Sequence, residues 1–200
     1  MKKISSARYI AVTAMLAAVS IVLMQFDFSV PLMPSFIKMD ISDLPALIGT
    51  FALGPVCGVM TELIKNLLHL LRTSTGGVGE LSNFLLGCAF VLPAGLIYKA
   101  KKTKKSALIA AVVGALCMAV LSVFTNYFIV YPVYYNFMAK EVIVAAYDAI
   151  ASGVFGTHVS GILQCLICFN MPFTFIKGML SVIVTMLIYK PLSPILKGRN

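Results

Sequence analysis

Long apolar runs constrain this chain more than any other feature. Ala7 to Met24, Leu81 to Tyr98, Ala107 to Val130 and Pro172 to Tyr189 each carry almost no charge. As helices rising 1.5 Å per residue, runs of about 20 residues cross a hydrocarbon core of about 30 Å. A soluble fold could hide such runs only under a polar shell. With 60% hydrophobic and 12% charged residues, the chain cannot supply one. A mean hydropathy of +0.97 agrees, and the chain reads as an all-α integral membrane protein. The first run follows Lys2 and Lys3, contains Arg8 near its start and continues to Met24 with no clear small-x-small cleavage site. It therefore reads as a retained helix rather than a signal peptide.

The stretch Asp43 to Leu71 can be one span or two. As a single helix it would reach about 44 Å, too long for the core. Gly54-Pro55 is a strong break signal inside it, and Pro suits a first helical position. The charges favour two spans. With the N-terminus inside, the positive clusters at the N-terminus, at Lys99 to Lys105 and after Tyr189 then all face the cytoplasm. That places eleven of the sixteen cations inside, as the positive-inside rule requires. The net charge of +9 is thus read as topology, not as a nucleic-acid surface. The expected architecture is one transmembrane domain over 1–200, with six spans (7–24, 43–53, 55–71, 81–98, 107–130, 172–189) and both termini cytoplasmic. An outer lid loop at 25–42 and an outer connection at 131–170 complete it.

The second span is short. Eleven residues reach only about 16 Å, so its outer end should be recessed, with "FIKMDISDLP" as a roof. Within that segment Phe36 and Met39 can cover an apolar ligand, Lys38 and Asp40 can contact it, and Asp43 reads as a helix N-cap. Other polar groups gather in the outer half: Thr50, Glu80, Asn83, Asn126, Tyr127, Asn170, Thr174 and Lys177. Polar side chains at membrane depth normally face a cavity or each other. One polar, ligand-sized cavity open to the outside accounts for them, with Tyr127 and Phe128 as aromatic walls. Glu62 and Lys65, three apart on one helix, can pair, and Asn66 and Asn83 can act as interhelical glue. Lys177 has no acid within 25 residues on either side. It needs a partner from tertiary structure or from a ligand.

The remaining motifs mostly exclude functions. The five cysteines (Cys57, Cys88, Cys117, Cys165, Cys168) sit in apolar runs and read as core residues. His69 and His158 lack metal-ligand spacing, and no nucleophile–base pair marks an enzyme. The glycine-rich "TSTGGVGELSN" is not a P-loop, so the chain has no ATPase of its own. On the first helix Ala7, Ala11, Ala14 and Ala18 form a small-residue face that can pack internally or dock another membrane subunit.

The blocks "FIKMDISDLPALIGTFALGPVCGVMTELIKNLLHLL", "TGGVGELSNFLLGCAFVLPAGLIY" and "MPFTFIKG" resemble the riboflavin-specific S components (RibU type) of energy-coupling factor (ECF) vitamin transporters. The resemblance implies a six-helix S-component fold in the bacterial plasma membrane and capture of riboflavin, or its phosphate FMN, from outside. No catalytic cofactor is implied. It implies a transmembrane coupling protein (T component) and two cytoplasmic ATPases as partners, with Ala14 and Ala18 on the docking face. Lys177 matches a flavin-contacting lysine of the last helix and Asn126 a flavin-contacting asparagine. Thr174 stands where the family usually has Asn. The alternatives are a stand-alone carrier and an S component for another vitamin.

Overall fold

The structure is a computed structural model and describes residues 5–197 apart from 35–36 and 74–75. Its frame is helical. Helix α1 (Ser6–Met24) starts where the Ser5 hydroxyl accepts the Arg8 N–H at 3.4 Å. The apolar stretch that follows breaks at Gly54 into α2 (Leu44–Leu53) and α3 (Pro55–His69). Gly54 has φ +109°, a conformation open to glycine and strained for other residues, and Pro55 opens α3. Helices α4 (Val78–Ala100) and α5 (Lys104–Thr125) form a hairpin whose turn carries the lysine cluster. Thr103 caps α5 by accepting the Ser106 N–H at 3.1 Å. Gly114 lets the pair close: a Cβ there would meet the Phe90 carbonyl oxygen at 2.3 Å.

Helix α2 is the centre of the bundle. Every residue from Leu44 to Ala52 is buried, against α1, α3, α4 and α9 (Met171–Lys197). A helix apolar on all sides suits that position. The main core joins Ala46, Leu47 and Phe51 of α2 to Phe90, Val91 and Ala94 of α4, Ala111 and Ala115 of α5, and Val182 of α9.

Among the described residues, four helical stretches are long and apolar enough to cross a membrane: Ser6–Met24, Val78–Ala100, Lys104–Tyr134 and Ile162–Tyr189. At 10 and 15 residues, α2 and α3 are shorter. Two of the long stretches are continued by π-helical turns. Asn126–Val130 links α5 to α6 (Tyr131–Tyr134), and Leu166–Asn170 links α8 (Ile162–Cys165) to α9.

The expected loop at 25–42 contains a small antiparallel ladder, β1 (Phe28–Ser29) with β2 (Lys38–Met39), registering Phe28 with Met39 and Ser29 with Lys38. The 131–170 connection folds as a second small core. Helix α7 (Lys140–Ile150) and the turn after it place Ile143, Tyr147 and Ala151 on one buried stripe, against Tyr131, Ile162, Leu166 and Phe169. A strap from Gly156 to Val159 returns over α7. Asp148 holds it by accepting the Val159 N–H at 2.8 Å and contacting His158 Nδ1 at 3.1 Å. The reading of all five cysteines as core residues needs correction. Cys57 and Cys165 are buried, but Cys117 and Cys168 are exposed, because their helix positions point away from the bundle.

Candidate ligand-binding site

A cavity of about 210 Å³ opens at the end of the bundle opposite the lysine-bearing α4–α5 turn. Its wall comes from three helices at regular intervals. Gly79, Ser82, Asn83 and Leu86 lie at i, i+3, i+4 and i+7 of α4; Asn170, Phe173, Thr174 and Lys177 repeat that spacing into α9. Such spacing places residues on one helix face. Met118 and Asn126 come from α5 and the turn that follows it. Val130, Tyr131 and Tyr134 continue the wall, and Ile37 and Lys38 close it from the hairpin side. Asn126 begins the π-helical turn after α5 and Asn170 ends the one before α9. Turns of this kind recur at functional sites, because the extra residue re-aims a side chain.

The cavity combines apolar walls (Leu86, Met118, Val130, Phe173) with three amides, four hydroxyl-bearing side chains (Ser82, Tyr131, Tyr134, Thr174) and the lysines Lys38 and Lys177. Apolar walls with a few polar groups are the make-up of small-molecule sites in general. A second cavity, about 360 Å³, lies at the other end, beside Gly54, Pro55, Lys99 and Lys102.

Beneath the hairpin lies a buried ionic cluster. Lys65 contacts Asp43 and Glu62, each at 2.7 Å, with all three side chains inaccessible to solvent. Lys65 also donates to Ser42 Oγ at 3.1 Å. Lys177 reaches Asp40 Oδ2 at 3.0 Å and Asp43 Oδ2 at 3.6 Å. Asp40 also accepts the Ser42 N–H at 2.8 Å. Burial by itself would raise the Asp40 carboxyl; the ammonium groups of Lys177 and Lys65 and the Ser42 hydrogen bonds outweigh it and hold the group well below the usual carboxylate range. The cluster pins the segment before α2 to α3 and α9. Glu62 is also wedged against α4: a Cβ on Gly87 would fall 2.4 Å from its Oε2.

The structure brings together Lys177, Thr174, Asn170, Asn126, Asn83 and Lys38 from the residues singled out in the sequence. Others go elsewhere. Asp40 faces Lys177 rather than the cavity. Asp43 occupies the N-cap position of α2 but its side chain caps nothing; the carboxylate is drawn to Lys65 instead. The Thr50 hydroxyl returns to the Ala46 carbonyl at 2.8 Å, and its side of α2 borders the second cavity. Glu80 binds His69 Nδ1 and the Thr73 hydroxyl, each at 2.9 Å, on another side of α4. Met39 is buried in the hairpin. Tyr127 and Phe128 stack edge to face on the outside, so neither is a cavity wall. Phe36 lies outside the described residues.

The sequence reading missed Phe173, Tyr131 and Leu86. Phe173 and Leu86 share the helical spacing of residues already chosen, and that spacing was the available signal. Tyr131 enters through the π-helical turn, which ordinary helical periodicity does not anticipate. Ala7, Ala11, Ala14 and Ala18 are all exposed on α1, while Val12, Thr13, Leu16, Ala17 and Ser20 form its buried face. Packing within this chain therefore does not use the alanine face.

Comparison with known proteins gives a consistent picture. A family model described as ECF transporter, substrate-specific component, matches residues 8–189. The riboflavin transporter RibU of Staphylococcus aureus is 36% identical over 184 residues, covering 92% of this chain and 89% of its own. The riboflavin transporter FmnP of Bacillus subtilis is 32% identical over 188 residues, covering 92% of each. A solved structure described as the S component of a bacterial ECF transporter superposes with a TM-score of 0.74 at 32% identity, covering 96% of this chain and 99% of that one. The chain belongs to the substrate-specific components of ECF transporters.

Proposed function

We propose that this chain is the riboflavin-binding membrane subunit of an ATP-driven ECF uptake transporter in the bacterial plasma membrane. The observation that carries this reading is the cavity itself. Amides, hydroxyls and the Lys177 ammonium ring a cavity with Phe173 and Leu86 on its walls, in a chain similar to two riboflavin transporters. An isoalloxazine ring needs apolar faces with donors and acceptors at its edge, and a ribityl chain needs hydroxyl partners. FMN is the close alternative: Lys38 at the mouth, paired here with Asp27 at 3.0 Å, would turn to a phosphate.

In this reading six segments traverse the bilayer, α2 and α3 included, with both termini cytoplasmic and the cavity facing outward. The chain forms one transmembrane domain. The lysine-rich α4–α5 turn on the inner side supports this orientation. At about 210 Å³, the cavity is smaller than the roughly 300–1,000 Å³ of sites that enclose such ligands. Riboflavin therefore enters as the β1–β2 hairpin moves outward, and the hairpin closes over it. The energy comes from a coupling protein and two ATPases; the exposed alanine face of α1 is the docking surface. Small side chains there let a partner helix approach closely.

Uptake of radiolabelled riboflavin in cells tests the function as a whole. Cells lacking their own riboflavin uptake and supplied with this chain plus the coupling protein and ATPases should accumulate label. Accumulation that is the same without this chain would overturn the reading.

A further inference from the structure

A hydroxyl lies just behind the cavity wall. Tyr147 of α7 is fully buried, with its ring 5.5 Å from that of Phe169. Its hydroxyl lies 2.6 Å from the Tyr131 hydroxyl and donates to Asn170 Oδ1 at 2.5 Å. Tyr131 and Asn170 line the cavity, and Tyr147 does not.

With Asn170 Oδ1 facing the Tyr147 hydroxyl, the proton count sets the direction of the hydrogen bonds. A tyrosine hydroxyl has one proton to give. Tyr147 gives it to Asn170, so in the 2.6 Å contact Tyr131 is the donor and Tyr147 the acceptor. The order runs from Tyr131 to Tyr147 to the Asn170 carbonyl. An unrestrained asparagine amide can turn over and exchange its oxygen for its NH2 group at little cost. Here the exchange would require both tyrosine hydroxyls to reverse their protons, so the amide and the two tyrosines turn only together.

We propose that Tyr147 is a positioning residue for ligand recognition. It holds the Asn170 amide with the carbonyl engaged by protein and the NH2 group presented to the cavity, so that this point of the wall reads an acceptor on the ligand. The chemical class is a carbonyl oxygen or ring nitrogen at the edge of a heterocycle. The assignment rests on the flavin reading of the cavity and deepens it. It also gives α7 a role beyond packing in the second small core. Its buried stripe carries two apolar groups, Ile143 and Ala151, and one polar group, Tyr147. That polar group is spent on cavity residues.

The test is a set of riboflavin titrations by flavin fluorescence quenching on the full chain in detergent. Tyr147→Phe keeps the ring and removes the hydroxyl. It should weaken binding roughly five- to tenfold, the range of one lost hydrogen bond. On an Asn170→Ala background the same change should shift affinity less than about twofold, because residues acting through one another are not additive. Asn170→Asp keeps an acceptor for Tyr147 but replaces the NH2 group with oxygen, and it should lose at least as much affinity as Asn170→Ala. Equal losses from Tyr147→Phe on both backgrounds, wild-type affinity in Tyr147→Phe, or wild-type affinity in Asn170→Asp would each overturn the proposal. Thermal unfolding identifies any variant that does not fold. If Tyr147→Phe is one, the Asn170→Asp titration decides. A wild-type chain that binds no riboflavin removes the flavin reading itself, a result distinct from any variant failing alone.

Discussion

The Lys177 ammonium lies 3.0 Å from Oδ2 of Asp40, a residue 137 positions earlier. This contact ties the last long helix to the segment that leads into α2. Because Lys177 also lines the cavity, one side chain takes part in both the site and the closure of its rim. Lys177→Ala should therefore weaken riboflavin binding at least about tenfold, through lost contact and a loosened rim together. Asp40→Asn keeps the cavity wall and should cost less. Titration of both variants checks the order, and an Asp40→Asn loss exceeding that of Lys177→Ala would assign the energy to the latch alone.

The pH dependence of that latch follows from the depressed Asp40 carboxyl. A carboxyl lowered in the folded state stabilises fully above its unfolded value, near 3.9, and the contribution is lost as pH falls through the folded value. Between about pH 5 and 8 the latch is therefore intact. Thermal midpoints in detergent should show no change attributable to Asp40 across that window. A wild-type loss there that Asp40→Asn abolishes would contradict the assignment.

Lys65 counters two buried carboxylates at 2.7 Å each. Replacing it with Met leaves Asp43 and Glu62 buried without that counter-charge. Breaking a buried ion pair from one side typically costs about 3–5 kcal/mol. Lys65→Met should sharply lower the unfolding temperature in detergent. A variant as stable as wild type would mean that the cluster does not hold α3 to the segment before α2.

The alanine face of α1 gives a separable prediction. Ala14 and Ala18 are exposed and far in function from the cavity wall. Replacing both with Trp should leave riboflavin affinity within about twofold of wild type, since distant sites are independent. Uptake in cells carrying the partner subunits should be abolished. Loss of binding and uptake in equal measure would show that α1 supports the site rather than the docking surface.

Much of the frame was legible because bilayer-length apolar runs and one Gly-Pro break speak directly to helix limits. The break at Gly54 coincides with the one backbone conformation there that glycine accommodates. Asn126, Asn170, Thr174 and Lys177 were legible as polar groups in apolar runs. The fate of Asp40, Asp43, Thr50 and Glu80 was not. Each is a polar group beside or within an apolar run, and sequence does not show whether its partner is a ligand, a lysine, a carbonyl or a histidine. Tyr131 and Tyr127 illustrate the other difficulty. Four residues apart, they would share a helix face in ordinary periodicity; the π-helical turn at Asn126–Val130 sends one to the cavity and the other outside.

The central claim, that the cavity between α4, α5 and α9 is a flavin site, is tested most directly by equilibrium titration of the purified chain with riboflavin. The account predicts saturable quenching of flavin fluorescence at submicromolar concentration, with one riboflavin per chain, weakened by Lys177→Ala. A folded chain that leaves flavin fluorescence unchanged at micromolar riboflavin would contradict it.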